Sequence, residues 1–483
     1  MMLRLFVCRV VLACCVWGLS LSQHFAAEAA PPAVPLIVNS QLQLFLDDWL
    51  IDSQQNTRLE LHRPRPAEII LARDQPWEDS TLYDPVVIRD GDRYRLWYRT
   101  NFNSAPYYTG YAESADGISW RKPSLGLIEF RGSKDNNLVW VGNHSDPNGA
   151  PCVLSIFKDT NPATPADERY KATGIVYGGG LKALVSPDGL RWRMFQDERV
   201  VPAVGAFDSH NITLWDEARQ QYAAYVRGFD GDLRRIRRAV TTDFRRFPVP
   251  EFITVENEPR QKKEEFYKNA ATPYYRRPDI ILMFPKRFLP DRKFDPQWSQ
   301  PGLSDIVFMF SRDGIRFDRR FHDALIRPGR DQLNWHERAI EVGPGLVPTG
   351  TDEMSLYYVE HYRTDSVRIR RGVFRVDGLV SLHADATGGE VVTHPLTFQG
   401  KQLSINFSTS AAGAIRIELQ DPQGQPLPGF TLADCPPVFG DRLNHVVSWK
   451  NGTDVSSLAG TVVRMRIELS EADLYSFQFR NPE

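Results

Sequence analysis

Apolar and polar positions alternate with a period of two in short runs, and Gly, Pro, Asn and Asp break those runs every few residues. That pattern predicts strands joined by tight turns. It is clearest from Tyr83 to Trp120. There an apolar run (Pro85 to Ile88), a polar corner (Arg89 to Arg93), an aromatic alternating run (Tyr94 to Tyr98) and two further runs meeting at Asp116-Gly117 describe four antiparallel strands. The last turn recurs along the chain. SADGISW at Ser114 is echoed by SPDGLRW at Ser186, TTDFRRF at Thr241, SRDGIRF at Ser311 and RVDGLVSL at Arg375. The turn aspartates Asp116, Asp188, Asp243, Asp313 and Asp377 are 72, 55, 70 and 64 residues apart. Five echoes predict five sheets, and Asp-Gly predicts a type I′ turn at each corner.

A four-stranded sheet cannot bury both faces alone, and radial repetition solves that, so the pattern predicts an all-β chain with a five-bladed β-propeller. Its expected span is residues 30–382. The segment LQLFLDDWLID (Leu42 to Asp52) is expected to close the ring against the last blade. From about His383 the blade pattern stops. Short strands such as QLSINFS, AIRIELQ and VVRMRIEL at regular spacing predict a C-terminal β-sandwich over residues 383–483. No helical periodicity of useful length appears after the first thirty or so residues.

Residues 1–29 read differently. Arg4 and Arg9 precede an apolar core (Val10 to Leu21) and small residues at Ala27-Glu28-Ala29, the layout of a secretory signal. A secreted or periplasmic protein is expected, with no membrane contact once the leader is cut. An uncleaved anchor and a lipoprotein signal ending at Cys14 are the rival readings. Three of the 5 Cys lie in this leader, leaving Cys152 and Cys435, expected as buried thiols, with an interdomain disulfide the alternative. Charge is balanced, Lys+Arg 58 against Asp+Glu 60, which gives no basic face for nucleic acid. No Cys/His spacing of metal-site type occurs and no cofactor is expected, while a structural ion in the channel is left open. Oligomeric state is not legible.

In a propeller the first strands of all blades start at one mouth, so polar residues at those starts converge. They are Asp84 in LYDPVV, Asp208 and His210 in FDSHNI, Glu264, Glu265 and Asn269 in KKEEFYKNAAT, and Glu337 and Arg338 in WHERAIE; blade two offers only Asp146. Carboxylates gathered in a concave mouth suit glycosidic bond cleavage, one as base or nucleophile and another as proton donor. Trp77 and Trp335, with Trp298, are expected in loops near that mouth, where they would stack on sugar rings.

A leader, a first-blade Asp84-Pro85 before an apolar strand, an acidic start to blade three, a glutamate in blade four and a C-terminal sandwich together resemble the five-bladed-propeller glycoside hydrolases of the invertase/inulinase and arabinanase/xylosidase kind. The resemblance implies a glycoside hydrolase with a carbohydrate substrate. It also implies Asp84 as nucleophile or base, Asp208 as orienting carboxylate and Glu265 as acid, with His210 a second candidate for the acid. His210, Asn269, Glu337, Arg338, Trp77 and Trp335 are then substrate-binding. The chain departs from that pattern in taking its glutamate from blade four and in lacking the WMNDPN and RDP signatures, which suggests a divergent subfamily. Two other readings stand beside it: a lectin-like propeller that binds glycans without cutting them, and a sialidase-like enzyme suggested by the SADGISW turn.

Overall fold

The computed structural model describes residues 34–79, 81–100, 105–204, 207–259 and 264–482. The leader expected over residues 1–29 lies outside them. The described residues carry 36 strands and four 3-10 helices, so the chain is all-β.

Five antiparallel sheets follow one another. The first runs Tyr83–Asp90, Arg93–Thr100, Tyr107–Ser114 and Leu138–Gly142. The second is Cys152–Lys158, Tyr170–Ile175, Leu181–Ser186 and Arg193–Met194, and the third Ile212–Asp216, Gln221–Asp230, Leu233–Thr241 and Glu251–Phe252. The fourth starts with Thr272–Tyr274 and Arg277–Met283 and continues through Met309–Ser311 and Arg316–Asp318 to a parallel edge, Thr254–Glu256. A separate three-stranded sheet (Glu265–Lys268, Lys286–Leu289, Leu303–Ile306) interrupts it. In the fifth, Glu341–Val342, Glu353–Glu360 and Arg368–Arg375 are completed by Arg65–Ala72 from far upstream.

The inner strands of the sheets are buried on both faces, and strand periodicity decides which neighbour each residue meets. On Gln221–Asp230, Tyr222, Ala224 and Val226 pack with Phe157, Ile175 and Ala183 of the second sheet. The alternate residues Ala223 and Tyr225 pack with Ile281, Met283 and Phe317 of the fourth. Trp97 and Tyr111 join the first sheet to Leu154 and Ile156 of the second, and Leu282 joins the fourth to Leu356 of the fifth. Val359 and Ile369 of the fifth sheet pack on Leu96 and Tyr98 of the first. The packing therefore runs in a closed circle. A cavity of about 130 Å³ is lined by Val87, Ile156, Thr213 and Thr272 from four first strands and by Gly345 just past the fifth.

The repeated turns are the joints of this circle, though not as type I′ turns. In three of them only the glycine has positive φ (Gly117 +75°, Gly189 +74°, Gly314 +77°), while in the other two it is Phe244 (+61°) and Asp377 (+61°). The aspartate instead accepts two N–H groups beyond it, as Asp116 Oδ1 does from Ile118 and Ser119 at 2.8 Å, while Ser114 Oγ accepts Gly117 N–H at 2.8 Å. The same bonds form at Asp188 and Asp313. The glycine carbonyls then accept from the neighbouring sheet: Gly117 from Tyr357 Oη at 2.7 Å, Gly189 from Trp97 Nε1 at 2.9 Å, and Gly314 from Tyr225 Oη at 3.0 Å. Asp377 departs from the expected echo. It is buried, and its carboxylate accepts from Tyr274, Arg276 and Ser476.

The C-terminal strands are longer than expected. QLSINFS and AIRIELQ form one strand, Gln402–Gln420, broken by a register shift between Thr409 and Ala414, and it pairs along Arg464–Arg480. These strands belong to an eight-stranded sheet over a core of Phe407, Ile417, Ile467 and Phe477. The N-terminal segment takes its strand partners from this layer, while its Leu42, Leu44 and Leu46 pack with Leu356 and Phe374 of the fifth sheet. Gln43–Leu44 pairs with Phe477 and Ser476, and Ile51–Gln55 with Glu390–Thr393. Residues Pro35–Glu483 form one unit. Cys152 and Cys435 are buried free thiols.

Candidate active site

A second cavity, of about 150 Å³, is lined by segments in or next to each of the five sheets: Tyr83, Arg99 and Tyr107 from the first, Val153 from the second, Ser209 and His210 just before the third, Tyr267 and Lys268 from the separate three-stranded sheet beside the fourth, and Arg338 and Tyr362 beside the fifth. Asp208 and His144 also line it.

The backbone is unusual where these segments enter. Asp84 (φ +51°), Val153 (+57°), Ala270 (+47°) and Arg338 (+59°) are all non-glycine residues in the left-handed region. Each such residue costs about 1–3 kcal/mol, and such strain gathers at functional sites. At Asp84 the sequence explains how it is tolerated. The ladder shifts register between Tyr83 and Val86, and Pro85 in the bulge has no N–H to leave unpaired. The Asp84 N–H is taken by Glu341 Oε1 at 3.0 Å.

Asp84 is buried just behind the cavity wall. Its carboxylate meets Arg99 Nε at 2.6 Å, bonds Lys268 Nζ, and lies 3.9 Å from His210 Nδ1. Burial would raise this carboxyl, but Arg99 and Lys268 outweigh it and hold it well below the usual carboxylate range. Glu341 is equally buried, between Lys268 and Lys286, whose Nζ lies 3.1 Å away. Lys286 also donates to Tyr83 Oη at 2.5 Å and Arg338 O at 3.2 Å. Burial, helped by Lys268 and Arg338, pushes the Lys286 ammonium down to about 7 against the pull of Glu341. Tyr83 stacks on Tyr362 at 4.0 Å and 17°.

His210 Nε2 faces Leu154 O at 3.2 Å, an acceptor only, so Nε2 carries the hydrogen and Nδ1 faces Asp84 bare. Burial lowers this imidazole, which keeps it neutral. Asp208 is the accessible carboxylate of the lining. Its side chain is 66% exposed and pairs with the buried Arg227. Arg227 lies 5.0 Å from the Tyr267 ring, and Arg338 Nη1 donates to Tyr267 Oη at 3.2 Å. Burial would raise the Tyr267 phenol, yet Arg338, Arg227 and Lys268 together bring it below its ordinary value.

Other candidates fall elsewhere. Glu265 sits two residues before Tyr267, is bound by Arg234 Nη1 at 2.6 Å and does not line the cavity. Glu264 is held by Arg287 and Arg319. Asn269 uses its amide on Tyr225 O and Ala271 N–H, joining two strands. Glu337 is buried between Arg338 and Arg363, so of that pair only the arginine reaches the cavity. Trp77 is packed in the interior, edge-on to Phe130, with Nε1 on Asn137, and is not at the mouth as expected. Trp335 is half-buried against Phe294 with Nε1 on Gly329 O, and Trp298 stacks on His336. Asp146 shapes an exposed turn.

Arg99, Glu341, Lys286, Lys268 and Tyr267 were not anticipated. Lys268 and Tyr267 lie inside EEFYKNA, between two chosen residues, and Glu341 is the true first residue of the strand that WHERAIE introduces.

No family model matches the chain. Two uncharacterised proteins of Mycobacterium tuberculosis, from strains CDC 1551 / Oshkosh and ATCC 25618 / H37Rv, are each 28% identical over 166 residues, 32% of this chain and 49% of theirs. The chain thus spans about half the length of the curated relatives it matches. Among solved structures it is similar to an N-acetylgalactosamine deacetylase from F. plautii in complex with blood group B trisaccharide (13% identity, TM-score 0.46, 66% of this chain and 96% of that one). It is also similar to a family 43 arabinoxylan arabinofuranohydrolase from Bacillus subtilis (13%, 0.39, 84% and 97%) and to a glycosyl hydrolase from Bacteroides ovatus (14%, 0.42, 70% and 97%). At these scores the likeness assigns nothing by itself.

Proposed function

We propose that the chain is an exported glycoside hydrolase whose five successive sheets are the blades of a propeller, whose C-terminal layer is a bracing sandwich, and whose substrate site is the cavity of about 150 Å³. One observation supports this above the others: an accessible carboxylate, Asp208, lines a tyrosine-walled cavity built from segments in or next to all five sheets. The volume is below the roughly 300–1,000 Å³ of pockets for drug-sized ligands, which suits a single sugar ring at a chain end.

Roles follow from charge state. Asp84 cannot serve as an acid, because Arg99 and Lys268 keep it ionised; it acts as the anchor that holds those two cations in place. Asp208 takes the nucleophile side, as base or as attacking carboxylate. The proton for the leaving oxygen comes from Tyr267, whose phenolate Arg338 and Arg227 stabilise and which solvent then reprotonates. His210, neutral and in the wall, orients the substrate.

The test is product release from a broad panel of plant, algal and animal glycans by the full chain and by Asp208→Asn. Turnover of at least one glycan, reduced about 10²-fold or more in the variant, is the expected result. Glycan binding that Asp208→Asn leaves intact, with no turnover anywhere on the panel, would make the protein lectin-like instead.

A further inference from the structure

The charges around the cavity are sorted by depth. Arg99, Lys268 and Arg338 form part of its lining. The carboxylates that balance the first two, Asp84 and Glu341, are 1% and 0% exposed and are not part of that lining. Among the described residues of the lining the one acidic side chain, Asp208, is 66% exposed and paired with Arg227. A ligand in the cavity therefore meets guanidinium and ammonium donors from three separate segments of the chain, with the matching negative charge screened behind them. Hydrogen-bond acceptors carrying a full negative charge fit that surface better than neutral hydroxyls, since charge-assisted bonds are about twice as strong as neutral ones.

Four titratable groups nearby carry the mark of these cations, while Tyr83, which is next to Asp84 and Glu341, is raised by burial and by those carboxylates. Burial lowers Lys286, and Lys268 and Arg338 add to the effect. Tyr267 is lowered by Arg338, Arg227 and Lys268 in spite of burial. His144, at the Tyr107 side of the cavity, is lowered by burial and by Arg99. Arg227 is lowered by burial and by Arg234 and Arg338, against the pull of Tyr267. In these four groups the cations act toward the less positive form, alongside burial in Lys286, His144 and Arg227 and against it in Tyr267.

We propose that the sugar ring seated here carries an anionic group, a carboxylate or a sulfate ester, and that the substrate is an acidic rather than a neutral glycan. This rests on the cavity being the substrate site of the proposed hydrolase. Arg338 is the contact that sets the preference. It is the least buried of the three cations, and a planar guanidinium matches a carboxylate or sulfate bidentately.

The experiment is calorimetric titration of the full chain with glucuronate, galacturonate and mannuronate, their neutral parent hexoses, their methyl esters, the 6-sulfated hexoses and inorganic sulfate. Binding of one uronate or one sulfated hexose about tenfold or more tighter than its neutral partner supports the proposal, and the arm that binds identifies the anionic group. In Arg338→Gln that margin is expected to shrink to about threefold or less, with the melting temperature serving as the check on folding. The margin is also expected to fall as sodium chloride is raised, a readout on the unmodified protein. Neutral and acidic sugars binding equally, no acidic sugar binding at all, or inorganic sulfate binding as tightly as any sulfated hexose would each overturn it. Because no step needs turnover, cleavage of neutral glycans alone would sink this inference and spare the hydrolase, while tight uronate binding without cleavage would do the reverse.

Discussion

Asp84→Asn separates an anchor from a working carboxylate. Asn keeps the size of the side chain and tolerates φ +51° about as well as Asp does, so backbone strain is unchanged and the substitution removes only charge. What is left is Arg99 and Lys268, both buried, facing a neutral amide that presents a donor to one of them. Breaking a buried ion pair from one side costs about 3–5 kcal/mol. With an unfolding entropy of about 2.1 cal/mol/K per residue, a unit running from Pro35 to Glu483 has roughly 0.9 kcal/mol/K, so the melting temperature should drop by about 3–5 °C. The pH dependence carries the sign. The folded Asp84 carboxyl lies below its unfolded value of about 3.9, so its contribution is fully present above pH ~4 and is lost as pH falls through the folded value. The gap between wild type and variant, read from urea midpoints, should be flat from pH 8 to 5 and begin to close only below about pH 4. A gap under about 1 kcal/mol at pH 7, or one already closing between pH 7 and 5, would refute the anchor and return Asp84 to the list of titrating catalytic groups.

Lys286→Met should change the alkaline side. With a folded value of about 7 against about 10.4 unfolded, the unfolded chain binds more protons above pH 7, so wild-type stability rises with pH there by up to about 1.4 kcal/mol per unit. The variant should lack that rise in denaturant midpoints at pH 7, 8 and 9; parallel profiles would contradict the buried, unprotonated lysine. Tyr267→Phe should cut glycan turnover by about 10²-fold or more while moving the melting temperature by no more than about 1 °C, and unchanged turnover would transfer the proton-donor role to His210. Gly117→Ala should destabilise by more than the 1–2 kcal/mol of a left-handed residue, because its Cβ would meet Thr349 Cγ2 at 2.8 Å and Tyr357 Oη at 3.0 Å. Gly231→Ala, at φ +60° with nothing within 4 Å, is the control and should cost only the conformational part; equal losses would deny that the turn is an inter-sheet joint.

The period-two pattern carried the strands well, since Tyr83 to Tyr98 forms two adjacent strands where it predicts them. Partners were harder. The pairing of Arg65–Ala72 with Arg368–Arg375 is nonlocal and leaves no mark on either segment beyond a willingness to be a strand. The same limit explains why the pairing of Gln43–Leu44 with Phe477 and Ser476 was not legible, although its contact with the fifth sheet was expected. In the site, the rule that polar residues at strand starts converge found Asp84, Asp208, His210 and Arg338. It missed Lys268 and Glu341 because a bulge or a four-residue error in where a strand begins moves the inward position, and hydropathy does not register bulges. Trp77 shows the converse: a tryptophan beside prolines looks like a rim residue, yet its N–H found Asn137 inside.

Arg65–Ala72 also sets an order of events during synthesis. Its partner emerges late: Ala67 O accepts from Arg370 Nη1 across 303 residues. At ribosomal speeds of about 5–20 residues per second, the segment waits roughly 15–60 s with one edge unpaired. The last partner to arrive completes the circle, so a nascent chain halted between Asp318 and Arg368 holds four sheets and a dangling ribbon. Such a chain invites pairing with another copy of itself, and a factor that holds it open until release would spare it that fate.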